Sequence, residues 1–337
     1  MKDSFKVGSL SVDKGKTALG RLECSELADG TPLTIPFVIV NGEKAGPTLL
    51  IQAACHGDEV TGTFICREVV ANVDAKTLSG TLITIPIANV VAYLTRSRGF
   101  LNEERGPINM GTIFPGNKNG LLTERLAYVI ERELISISNY VIDIHTGLSG
   151  ALCYPFTYIL PTDNLGTLEI REEMAKATGI PLVFQVSRER FATFGSFAAG
   201  YNRTFGGQCD KRGIPWIMIE MGEGGRITKE FVPIGVKAIC NIMKYLKMIP
   251  SEPGLQVTKQ RSFSDYNTVH ANRGGLLFIE APLGSQVRKG DLLAKVYGPL
   301  DVLENIIAPI DGVVLRIMTN AIIYPGAEAA WIAKVEI

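Results

Sequence analysis

The chain has 337 residues, 46% of them apolar, and its 34 basic and 34 acidic side chains cancel. That length suits two ordinary domains with a full hydrophobic core, and the balanced charge leaves no basic field for nucleic acid and no acidic tail. Six scattered cysteines (Cys24, Cys55, Cys66, Cys153, Cys209 and Cys240) form no C-x-x-C pair, which reads as reduced core residues of a cytoplasmic protein and excludes a cysteine zinc cluster.

The first residues, "MKDSFKVGSLSVDKG", lack the apolar segment of a signal peptide, and no run of about 18 apolar residues follows anywhere to span a membrane. Residues 33–41, "LTIPFVIVN", and 48–54, "TLLIQAA", read as strands around the turn signal "NGEKAGP". After "HGDE", residues 60–73 place apolar side chains at helical spacing. "GTLITIPIAN" is a strand whose continuous apolar run suggests burial on both faces. Residues 95–120 then show no period, and a loop of that length in a compact domain is usually functional or disordered. "LLTERLAYVIERELIS" is a helix, "YVIDIH" a strand ending at His145, "TLEIREEMAKATG" a helix, "PLVFQV" a strand, "IPWIMIEMGEGG" a strand running into glycines, and "KEFVPIGVKAICNIMKYLKMI" a closing helix. Strands alternating with helices predict an α/β domain over residues 1–250, with a mixed, mostly parallel sheet flanked by helices. "SEPGLQ" reads as a linker. Residues 256–337 carry short strands and glycine–proline turns without a helical period, which predicts a small all-β domain.

In sheets of this kind, sites lie beyond the carboxyl ends of the strands. Three polar features fall there: His56-Gly57-Asp58-Glu59 after "LLIQAA", His145 after "YVIDI", and Glu220 within "IPWIMIE". A lone H-x-x-E pair is common by chance. At a strand-to-helix turn, however, it can direct an imidazole nitrogen and a carboxylate to one point, and His145 supplies a third donor of a kind that zinc accepts. Asp143 or a backbone carbonyl would orient an imidazole; Gly57 would serve the tight turn, and Asp58 would be an orienting neighbour. The third histidine, His270, reads as a solvated side chain.

"HGDE", "IPIANVVAYLTRSRG", "FPG", "DIHTG" and "IEMGEGG" occur in an order that resembles the succinylglutamate desuccinylase/aspartoacylase family of the zinc carboxypeptidase-like superfamily. The resemblance spans essentially the whole chain. It implies one zinc ion held by His56, Glu59 and His145, and a catalytic Glu220 that takes a proton from the attacking water and passes it to the leaving amine. Glu223 is the fallback for that role, and otherwise lines the substrate entrance. An arginine of the long loop would face the oxyanion: Arg98 is the candidate, with Arg96 close behind and otherwise substrate-binding, and Arg105 also open.

The match departs from the family in one place. Members acting on N-acyl amino acids read D-x-N-R-x-F-P-G, the Asn-Arg pair gripping the α-carboxylate. Here the segment is "NMGTIFPG", with Asn109 and Thr112 left as substrate-binding candidates and Gly111-Thr112 in place of the grip. The expectation is therefore that a simple free α-carboxylate substrate is disfavoured, and that an N-acylated amine, a sugar-linked or peptide-like amide, or a substrate read by other groups fits better. The C-terminal part resembles a biotinyl/lipoyl barrel-sandwich. No lysine occurs between Lys295 and Lys334, and Asp301 stands near the acceptor turn, so a structural or site-covering role is expected rather than a covalent carrier. The leading reading is a zinc-dependent amidohydrolase with a small-molecule partner, acting on neither nucleic acid nor membrane, with a homo-oligomer admitted. A metallocarboxypeptidase and a metal-free binding protein are the alternatives.

Overall fold

A computed structural model describes residues 4–250 and 260–335. The expected linker at 251–256 lies outside them. The chain begins with strands that the sequence reading did not assign: a hairpin of β1 (Ser4–Val7) and β2 (Leu10–Asp13), then β3 (Lys16–Glu26). Next come β4 (Pro32–Asn41), β5 (Lys44–Ala53), α1 (Thr61–Asn72), β6 (Ser79–Ile85), the short α2 (Val90–Leu94), α3 (Leu122–Glu133) and β7 (Tyr140–His145). β8 (Ala151–Ile159), α4 (Leu165–Thr178) and β9 (Leu182–Gln185) follow. Three short helices, α5 (Arg188–Ala192), α6 (Ser196–Gly200) and α7 (Phe205–Lys211), lead into β10 (Trp216–Gly222) and α8 (Val232–Tyr245).

The middle of the sheet is a parallel block, and a second parallel set, β8 with β9 and β9 with β11 (Arg261–Phe263), branches from it. β6, β5, β7 and β10 pair in parallel, while β4 and β3 on one side and β8 on the other are antiparallel. The parallel block is buried on both faces, which is why its strands read as unbroken apolar runs. The two-residue pleat sorts them. Leu49 and Ile51 of β5, Ile142 and Ile144 of β7, and Ile217 and Ile219 of β10 join the core under α1, α4 and α8. Leu50, Val141 and Trp216 join the opposite core with α3. That alternation leaves Asp143 and His145 on the second face of β7 and Met218 and Glu220 on the second face of β10. The register sets Gln52 beside Asp143, and His145 beside Glu220. Three polar strand ends are therefore brought to one face by pleat and register together.

The C-terminal strands are β11 (Arg261–Phe263), β12 (Tyr266–His270), β13 (Gly275–Ile279), β14 (Gln286–Val287), β15 (Leu292–Tyr297), β16 (Val302–Ile307), β17 (Gly312–Met318), β18 (Ile322–Ile323) and β19 (Glu328–Ala333). They split into two layers around their own apolar cluster. β16, β15, β13 and β18 form a separate sheet, whereas β12, β19 and β17 continue the main one. β17 pairs with β8, setting Arg316 opposite Cys153, and β11 adds to β9. This unit is thus hydrogen-bonded into the sheet that carries the polar strand ends. Gly298–Asp301 forms the turn between β15 and β16, and His270 is exposed. All six cysteines are free, and no helix among the described residues is long and apolar enough to cross a membrane.

Candidate metal centre

The HGDE segment leaves the end of β5 and runs into α1. Gly57 is needed for space: a Cβ there would lie 2.0 Å from the Ala92 carbonyl carbon and 2.2 Å from the Tyr93 nitrogen. It sits in the turn expected of it, which the Glu59 amide closes on the His56 carbonyl at 3.1 Å, and it also packs closely on α2. Gly57→Ala should destabilise the chain by about 3 kcal/mol or more, read as a lower Tm together with weaker metal binding. Asp58 accepts the Ser149 hydroxyl at 2.8 Å and, through its carbonyl, the Gly225 amide at 2.7 Å. It braces neighbouring loops instead of orienting an imidazole.

His56, Glu59 and His145 are all buried, and their candidate ligand atoms lie within 4.8 Å of one another. The hydrogen bonds around them assign the protons. Asn109 Oδ1 accepts the Gly111 amide at 2.9 Å, which fixes the orientation of the side-chain amide. The same oxygen lies 2.9 Å from His56 Nε2, so Nε2 is the N–H donor. His56 Nδ1 then turns a lone pair toward Glu59 Oε1 at 2.6 Å. His145 repeats the pattern: Nε2 donates to Asp143 Oδ2 at 3.0 Å, and Nδ1 faces Glu59 Oε2 at 2.8 Å. Acceptors at such spacing repel unless a proton or a cation lies among them. Two imidazoles and a carboxylate are a donor set that zinc accepts, with a coordination position left over. Asn109 and Asp143 are the outer partners that metal-ligating imidazoles need. The residues present fit zinc.

In the metal-free protein a proton takes the cation's place between these groups. Burial opposes charge on Glu59, but the two imidazoles outweigh it and hold the carboxyl below its usual range. Burial also opposes charge on His145, where Asp143 and Glu59 outweigh it and raise the imidazole well above 6.5. Gln52 Nε2 donates to the other oxygen of Asp143 at 3.1 Å. Sequence reasoning missed Gln52, although a lone amide inside the apolar run "LLIQAA" was the available signal. Asn109→Ala, which frees His56 to rotate, should weaken zinc binding about 10- to 100-fold, as measured by competition with a chelating dye.

A cavity of about 420 Å³ opens over this face. Glu220 lines it, half-buried. The Cys153 thiol donates to Glu220 Oε1 at 3.6 Å, and Glu220 makes no ion pair among the described residues. Burial, then the Glu59 charge, raises the Glu220 carboxyl from 4.5 to about 7, against the opposing pull of His145 and Arg316. Burial, then Glu220, pushes the Cys153 thiol well above 9.0, so it remains an S–H donor. Of the three open arginines, the structure brings Arg98 to the site, where Nη1 donates to Glu59 Oε1 at 2.9 Å. Arg96 and Arg105 are exposed and do not line the cavity. Asn109 and Thr112 both line it, and the Thr112 hydroxyl donates to the Asn109 carbonyl at 3.0 Å. Glu223 is not brought there. It pairs with Arg226 at 2.5 Å and accepts the Thr319 hydroxyl at 2.5 Å, tying the loop after β10 to the end of β17.

Residues 45–246 match the model of the succinylglutamate desuccinylase/aspartoacylase catalytic domain. The chain is 27% identical over 322 residues to an N-alpha-acetyl-L-2,4-diaminobutyric acid deacetylase of Halomonas elongata, covering 92% of this chain and 88% of the relative. Among solved structures, a succinylglutamate desuccinylase from Silicibacter sp. TM1040 superposes with a TM-score of 0.82 at 24% identity, covering 100% of both chains. The product-bound ectoine utilization protein EutE (DoeB) of Ruegeria pomeroyi gives a TM-score of 0.79 at 25% identity, covering 99% of both.

Proposed function

Because the chain belongs to the succinylglutamate desuccinylase/aspartoacylase family, we propose that it is a zinc-dependent deacylase cleaving the amide bond of an N-acylated small molecule. His56, Glu59 and His145 hold the metal and Glu220 is the general base. The observation that carries this reading is the convergence of the candidate ligand atoms of His56, Glu59 and His145, which share a cavity with a carboxyl group raised to about 7.

Zinc in that position supplies Lewis acidity, polarising a carbonyl oxygen and making water nucleophilic near neutral pH. The rest is done by the chain. Asp143 and Asn109 hold the imidazoles with their Nδ1 atoms inward. Glu220, beside His145 in the sheet, takes a proton from water at its carboxylate and returns it to the departing amine. The upward shift from burial suits both halves of that exchange, since it brings the carboxyl closer to neutral pH than a solvated one. The Cys153 thiol steadies the ionised form. Arg98 supplies positive charge beside Glu59, where an oxyanion would develop. The six free cysteines suit a working place in the reducing cytoplasm.

Metal analysis and an acyl-release assay test the reading. Zinc-replete protein should carry close to one zinc per chain and release acetate from an N-acetyl amino acid. The first compound to try is Nα-acetyl-L-2,4-diaminobutyrate, after the Halomonas relative. A purified protein that binds no metal under those conditions would overturn it.

A further inference from the structure

The cavity has a second wall that the chemistry above does not use. β17 and β19 set Arg316 opposite Trp331, and β12 brings Tyr266 alongside. The Arg316 guanidinium stacks 4.1 Å from the Trp331 ring, and Tyr266 stacks on that ring at 4.5 Å. Arg316 is only 6% exposed, yet it lines the cavity. Its Nη2 meets Glu328 at 3.2 Å, and its buried Nε has no hydrogen-bond partner among the described residues. A buried guanidinium N–H without an acceptor is costly. The guanidinium carries further donors besides Nε, and Arg presents its donors in a fork that matches a carboxylate.

Two further donors face the same space. Tyr158 and Tyr266 line the cavity, and their hydroxyls make no hydrogen bond among the described residues. Burial, then the Glu220 charge, raises both phenols, so they are O–H donors at neutral pH. Beyond them the wall is aromatic, with Phe184, Phe194 and Phe197 among the lining residues. The carboxylates lining the cavity are Glu59, Asp143 and Glu220, each already engaged at the metal centre or in proton transfer. A substrate ammonium therefore finds no uncommitted carboxylate there.

Resting on the deacylase reading above, the geometry points to a carboxylate subsite on the C-terminal strands, formed by Arg316 with Tyr158 and Tyr266, in an enzyme for N-acyl amino acids with large apolar side chains. Arg316 supplies the grip that Gly111-Thr112 lacks, from a part of the chain some 200 residues downstream. The apolar side chain packs on the aromatic wall.

The test is calorimetric binding to zinc-loaded Glu220→Gln protein, with N-acetyl-L-phenylalanine, its carboxamide and Nα-acetyl-L-2,4-diaminobutyrate as probes. The acid should bind about 10- to 100-fold more tightly than the amide, the range of a charge-assisted hydrogen bond. Arg316→Met in the same background should abolish that preference while leaving the amide within about 3-fold of its starting affinity; Arg316→Lys should restore part of it. Arg316→Gln, which keeps a hydrogen bond to Glu328, serves where the methionine variant does not fold. Equal binding of acid and amide, equal losses for both in the variants, or tighter binding of the diaminobutyrate compound would each overturn the proposal. Turnover by zinc-loaded wild type is read separately. A retained carboxylate preference without turnover counts against the deacylase reading and leaves the subsite standing.

Discussion

His56→Ala and His145→Ala proteins are expected to lose zinc at concentrations that saturate the wild type, and to lose turnover with it. Structural zinc sites with four ligands are worth about 10–16 kcal/mol, so one ligand corresponds to about 3 kcal/mol, or roughly 100-fold in affinity. The true loss should exceed this, because each imidazole also holds the carboxylate that the other needs. Glu59 Oε1 faces His56 and Arg98, while Oε2 faces His145 and the Thr146 amide at 3.2 Å. Removing either ring leaves Glu59 with less positive charge around it in a buried place. Equilibrium dialysis followed by metal analysis reads the affinity. Either variant holding zinc as tightly as the wild type would remove that histidine from the ligand set.

Glu220→Gln should behave in the opposite way, keeping zinc but losing about 10²- to 10⁴-fold in kcat. The pH dependence gives a sharper check. Glu220 must be ionised to accept a proton, and burial together with Glu59 raises it from 4.5 to about 7. In the zinc-loaded wild type, kcat/KM should therefore climb with pH along a limb below 7 and then level off. A bound cation favours the ionised form and moves this limb downward. In the metal-free protein the same shift appears in stability. Between pH 4.5 and 7 the folded chain keeps a proton that the unfolded chain has released, so this group's contribution falls as pH rises through that window. Glu220→Gln removes the cost of the buried charge. Its melting temperature should exceed that of metal-free wild type at pH 8, and the gap should close toward pH 4.5. A variant with unchanged turnover would move the base elsewhere.

The grouping of His56, Glu59 and His145 was legible because two of the three are close in sequence and all sit at strand ends. His56 and Glu59 are three residues apart at a strand-to-helix turn, and His145 ends an apolar strand. Strand ends in a parallel block gather at one edge of the sheet, so three polar residues at three such ends already imply convergence. The helices α1, α3, α4 and α8 were readable from apolar periodicity for the same reason: short-range spacing decides which face is buried.

What the sequence by itself determined, then, was the donor set, its place at the ends of buried strands, and the layered α/β architecture. Tertiary structure decided everything that depends on register between strands far apart in the chain. Gln52 meets Asp143 across 91 residues, Arg316 lies opposite Cys153 across 163, and Glu223 is drawn off the cavity toward Thr319. A strand fixes which of its side chains share a face, since the pleat alternates by two, but it carries no mark of which partner it will pair with or at what offset. The C-terminal unit, readable only as a small β module, becomes a wall of the cavity once β17 joins β8. The residue left with an unpaired buried N–H on that wall, Arg316, could be recognised only after that pairing was known.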